Sequence, residues 1–173
     1  MQLVEFSPTE LCGLSLSLLL AIDRFGRPTS FLWLFPDYPN QMAQWLQQAG
    51  QTVTTSLVEE WVHFSQLMWW SVWCWICFFA LPCLWCKWRG VSLAPLWGPR
   101  PTIRAILPYL AMFLCVLPAL VWVHRDQRFM ETYPFFHHSL EHPQLAVIWE
   151  ISYGLMFLSL EFFFRGFLIR LLY

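Results

Sequence analysis

Glu150, Glu161 and Arg165 stand in an otherwise apolar stretch near the C-terminus. Eleven residues separate the two glutamates, which leaves about 20° of residual rotation on an α-helix, so both share one face. Arg165 follows Glu161 by one helical turn and lies on the same side, within side-chain reach. Tyr153 and Phe157 complete the stripe. The glutamates are about 16 Å apart along the axis, too far to work as a close carboxylate dyad. The local pair is Glu161 with Arg165. An ionised glutamate in a bilayer costs about 3 kcal/mol on insertion scales, and Arg165 offsets part of that. Such a residue marks a functional site facing protein or water. The plainer alternative is a surface pair in which Arg165 and Arg170 anchor the cytoplasmic end of a span.

Two other sets of residues carry metal-binding chemistry by type. Cys74 and Cys77 form one C-x-x-C and Cys83 and Cys86 another, a pattern that suggests zinc when the pairs converge. Both pairs lie in one apolar run, Trp61 to Cys86. On a straight helix Cys83 sits about 180° from Cys74, so the pairs face apart and no metal site is expected; a break at Pro82 would change that angle. His124, His137, His138 and His142 cluster in a predicted loop, where exposed histidines need no role. No residue pattern identifies a cofactor.

The elements that position these residues follow from composition. The chain has 173 residues, 58% hydrophobic and 12% charged, about half the charge of an average soluble domain. That much apolar surface calls for a lipid solvent. The 12 Trp and 16 Phe agree, since amphipathic rings favour bilayer interfaces. With a net charge of −1, nothing points to nucleic acid. The N-terminus carries Glu5 and Glu10 and no cation before Arg24, the wrong polarity for a signal peptide.

Three stretches approach the roughly 20 apolar residues that cross a bilayer: Trp61 to Cys86, Ala105 to Val123, and Leu145 to about Ile169. The second holds Pro108 and Pro118, tolerated in a membrane helix when neighbours satisfy the freed carbonyls. The third is apolar enough only if Glu150 and Glu161 face protein. The predicted fold is therefore an all-α, polytopic transmembrane helix bundle of about three spans, or four if an N-terminal helix also crosses. Residues 1–60 form an N-terminal region and residues 61–173 the transmembrane region. Ser7-Pro8-Thr9-Glu10 is a capping box with proline at the first helical position, so a helix starts there and stops near Gly26 and Pro28. Its short apolar core, Leu11 to Ile22, suits an interfacial or bundle-packed helix better than a crossing. Pro28 to Gln51 reads as a surface connection.

The loop between the first two spans holds Lys87, Arg89, Arg100 and Arg104 and no acid, which makes residues 87–104 cytoplasmic by the positive-inside rule. Glu59 and Glu60, and the loop from His124 to Gln144, then lie outside. Arg125 and Arg128 in that outer loop are a mild counter-signal.

The stretch Leu160-Glu161-Phe162-Phe163-Phe164-Arg165-Gly166-Phe167-Leu168 resembles the first motif of the CAAX protease and bacteriocin-processing (CPBP) family of intramembrane glutamate proteases. That motif is two glutamates, three residues, then arginine, usually followed by glycine and apolar residues. Tyr133-Pro134-Phe135 and Trp149-Glu150 to Tyr153 resemble the approach to it in some bacterial members. The resemblance implies peptide hydrolysis within a membrane, with Glu161 and Arg165 as catalytic residues and a bacterial inner membrane as location. It also implies a membrane-anchored peptide as substrate. Two departures qualify it. Leu160 stands where the first glutamate, usually assigned to activating water, would be, as in some members. The family's later histidine motifs have no room after the first, since the sequence stops at Tyr173.

Two main readings result. One is the N-terminal part of such a protease, shortened before its histidine motifs or completed by another chain. The other is a non-enzymatic membrane protein that keeps this helix for packing or partner binding. A transport or channel component is a third, motivated only by the buried charges.

Overall fold

A computed structural model describes residues 7–94, 102–123, 125–127, 129 and 142–169. Every element among them is helical, and three helices are long and apolar enough to cross a membrane: Thr55–Trp88, Ile106–Val123 and Pro143–Leu168. His124, Arg128, His137, His138 and Arg170 lie outside the described residues.

The organising element is a continuous rod of 34 residues, about 51 Å at 1.5 Å per residue. It comprises α4 (Thr55–Trp75), a π-helical turn (Ile76–Ala80) and α5 (Leu81–Trp88). Thr54 starts it by accepting the Leu57 N–H at 3.3 Å, a side-chain N-cap. The wide turn precedes Pro82, which has no N–H for the Phe78 carbonyl and whose ring pushes that carbonyl away. Widening the turn relieves the conflict.

Helix α1 (Pro8–Ala21) continues through a second π-helical turn (Ile22–Gly26) and runs antiparallel to the rod. Glu10 meets Arg89 at one end, 3.1 Å apart, and the Trp69 indole donates to the Phe25 carbonyl at the other, 2.7 Å. Proline starts α1 as predicted, but Ser7 makes no side-chain cap. Glu10 is turned to Arg89 instead, because a charged partner outweighs one backbone amide already open to solvent.

The segment read as a surface connection holds two helices, α2 (Pro28–Leu34) and α3 (Tyr38–Gln48). Proline stands in the first turn of each of them, where its missing N–H costs nothing. Phe31 and Leu46 are buried. Phe31 packs tilted against Trp69 and Phe35 meets it edge to face, Tyr38 bonds Ser65 at 2.7 Å, and Trp45 meets Trp61 edge to face. From α1 to α3 the N-terminal region thus follows the rod along most of its length.

Helix α6 (Ile103–Val123) carries both predicted internal prolines. Helix α7 (Pro143–Glu161) runs on through a π-helical turn, Phe162–Leu168, parallel to the rod. The Ser71 hydroxyl donates to the Ser152 carbonyl at 2.9 Å and ties the two together. The main core joins α1, the rod and α7 through Leu11, Leu18, Phe78, Met156, Phe163 and Phe167. A smaller cluster of Leu67, Leu145 and Trp149 lies nearer the start of α7.

Cys74, Cys77 and Cys86 are buried in that main core, with Cys83 packed against it. The π-helical turn that holds Cys77 stands just before Pro82, where the sequence allowed a break to change the angle between the two C-x-x-C pairs. No three His, Cys, Asp or Glu among the described residues are placed to hold a metal ion, and the four thiols are free.

Candidate functional site

The segment Leu160–Leu168 divides its side chains between two sides. Phe162, Phe163, Gly166 and Phe167 point inward and are buried. Phe163 lies 5.1 Å from Phe78 between ring centroids and Phe162 lies 5.0 Å from Phe79. Phe167 stacks on Phe163 at 5.6 Å and meets the edge of Trp85 at 5.7 Å. These rings fix the roll of the helix, because turning it would expose three packed aromatic rings and open cavities behind them.

With the roll fixed, Glu161 and Arg165 project to the opposite side. The Arg165 Nε donates to the Glu161 Oε2 at 2.9 Å, one turn apart as the spacing requires. Both side chains are exposed, Glu161 by 51% and Arg165 by 70%. Glu150 is also exposed on α7. The sequence required Glu150 and Glu161 to face protein; among the described residues neither does. The inward side of α7 is taken by Leu145, Trp149, Met156 and Ser159, and beyond them by the buried phenylalanines.

Packing partners fix the level of the pair along the bundle. Phe162 is level with Phe79 and Phe167 with Trp85, which puts Glu161 and Arg165 about 9 to 14 Å in from Trp88 at 1.5 Å per residue.

The described histidines stand at the other end. His142 precedes α7, and its Nε2 lies 3.3 Å from the Glu60 Oε1. Glu60 is only 5% exposed, and His63 follows it by one turn on α4. Sequence reasoning placed Glu60 and His142 outside the membrane without pairing them. Only their positions at the starts of two parallel spans could have suggested it.

Chemically, the arrangement offers a carboxylate with one oxygen held by a guanidinium and the other open. Such a carboxylate can take a proton from water or a substrate, provided water reaches it. Arg165 itself is a donor that could stabilise an oxyanion there. Compared with known protein families, curated proteins and solved structures, the chain matches none of them.

Proposed function

We propose that this integral membrane protein contributes the glutamate–arginine part of an intramembrane peptidase site of the CPBP type. Glu161 acts as general base on water, and Arg165 orients that carboxylate and counters its charge. The substrate is a membrane-anchored peptide, and the remaining oxyanion donors come from a complementing chain. The loop at residues 87–104 faces the cytoplasm of a bacterial inner membrane.

The observation that carries this reading is the outward presentation of a bonded carboxylate on an apolar helix long enough to cross a membrane. Four buried aromatic and glycine positions around it hold it there. The test is cleavage of a membrane-anchored peptide library by protein reconstituted with its native membrane partners. Cleavage that is lost in E161Q supports the reading; no cleavage under any partner condition overturns it.

A second reading is favoured by the distance between His63 and His142 at one end of the bundle and Glu161 at the other. In it, Glu161 and Arg165 bind a partner helix and do no chemistry. E161Q would then alter assembly or abundance with no cleavage event to lose.

A further inference from the structure

An ion pair exposed on the lipid side of a membrane-spanning helix is costly unless something covers it. The chain contains a helix that needs a partner equally. Among the described residues, none of Ile106–Val123 in α6 is buried. It also carries a backbone defect. Pro118 has no N–H, so the Leu114 carbonyl four residues earlier lacks its helical donor. In hydrocarbon such a carbonyl must find a donor from a neighbour.

The two needs match in chemistry and in depth. A guanidinium has five N–H groups, and among the described residues Arg165 gives only its Nε–H, to Glu161. Leu114 lies about 15 Å along α6 from Arg104, and the ion pair lies about 9 to 14 Å in from Trp88. The levels agree if the basic residues Arg89 and Arg104 mark one membrane boundary. Helix direction agrees as well, since α6 leaves the boundary that α5 and α7 reach, and adjacent spans of one chain pack antiparallel. Residues 89–102 and 124–142 join α6 to the bundle, and chains of that length reach about 40 Å or more when extended.

We infer that α6 seats on the outward face of α7, where the Leu114 carbonyl accepts an Arg165 N–H. Glu161 and Arg165 then line a cleft between two helices of one chain, shielded from lipid. The inference needs the membrane reading only, and it holds whether or not the cleft hydrolyses peptides.

Cys115, beside Leu114, is exposed, and Leu158, one turn before Glu161, is 63% exposed. Seating brings them to within about one turn in depth. The test is oxidative crosslinking of L158C in a C12A background, in native membranes, read by electrophoresis and by loss of thiol labelling. The expected product runs at monomer mass, disappears in C115A, and falls at least five-fold in R165A while R165K retains most of it. F157C serves as a second position should L158C misfold. A product at twice the monomer mass means a second copy covers the pair and overturns the inference. So does the absence of product from both positions in protein that retains its helical content.

Discussion

Glu10 and Arg89 form an ion pair 3.1 Å long that ties the beginning of α1 to the end of α5. The contact places the start of α1 and the end of α5 at the same end of the bundle. From there α1 and its π-helical turn cover 19 residues, Pro8–Gly26, about 28 Å, which is close to the thickness of the hydrocarbon layer.

The N-terminal helix is therefore expected to cross the membrane antiparallel to the rod. Labelling with a membrane-impermeant thiol reagent checks this. S7C and K87C should react from one side and Q51C from the other. Labelling of S7C from the same side as Q51C would refute the crossing. The pair itself is half exposed at Glu10, so E10Q should cost no more than about 1 kcal/mol.

Removing either member of the outward pair should have different consequences. R165A strands a carboxylate in the bilayer, whereas E161Q leaves a guanidinium that α6 carbonyls and water defects can still satisfy. R165A should lower abundance in the membrane more than E161Q does. A double-mutant cycle on unfolding should give a coupling of about 0.6 to 1.7 kcal/mol, the range for polar pairs between membrane helices. Zero coupling would mean the two side chains are not paired.

Phe163 and Phe164 are adjacent and should respond oppositely. Phe163 is fully buried against Phe78 and Phe167, and F163A leaves a cavity worth about 3 kcal/mol. Phe164 is 44% exposed, and F164A should cost about 1 kcal/mol or less. Unfolding of the two variants in mixed micelles gives the comparison directly. Equal losses would show that the helix is rolled differently.

Two glycines offer a similar contrast. A methyl at Gly26 would meet the Trp73 Cβ at 3.1 Å and the Ile22 Cγ2 at 3.3 Å. Trp73 cannot easily give way, because its ring is held between Phe25 and Trp69. G26A should destabilise by about 1 kcal/mol despite the better helix propensity of alanine. Nothing lies within 4 Å of a methyl at Gly154, so G154A should be neutral or stabilising by up to about 1 kcal/mol. Thermal melts in detergent distinguish the signs.

At the opposite end, His142 reaches Glu60 and joins the start of α7 to the start of α4. H142A should cost about 1 to 3 kcal/mol, since it removes a partner from a buried carboxylate. Faster hydrogen exchange in the first turns of α7, with the Phe163 end unaffected, would locate the loss. Uniformly faster exchange would argue against a local clamp.

The all-helical membrane character was legible in composition and run length, because a bilayer tolerates few ways of satisfying a backbone and apolar runs mark them openly. The pairing of Glu161 with Arg165 was legible too, since helical spacing alone brings residues one turn apart together. Which way that pair points was not. It depends on which side of α7 the rod's Phe78, Phe79 and Trp85 occupy, and those contacts join residues far apart in sequence. The cysteine pairs show the same limit: a constant 100° per residue describes a straight helix, and the widened turn before Pro82 departs from it. The prolines between Pro28 and Gln51 also read one way alone and another in place, since a proline breaks a helix or starts one according to what precedes it. Sequence thus determined which segments are helices for lipid and which charges neighbour one another along a helix. Tertiary packing decided the roll and register of each helix, because those are set by side chains from other segments filling the space between.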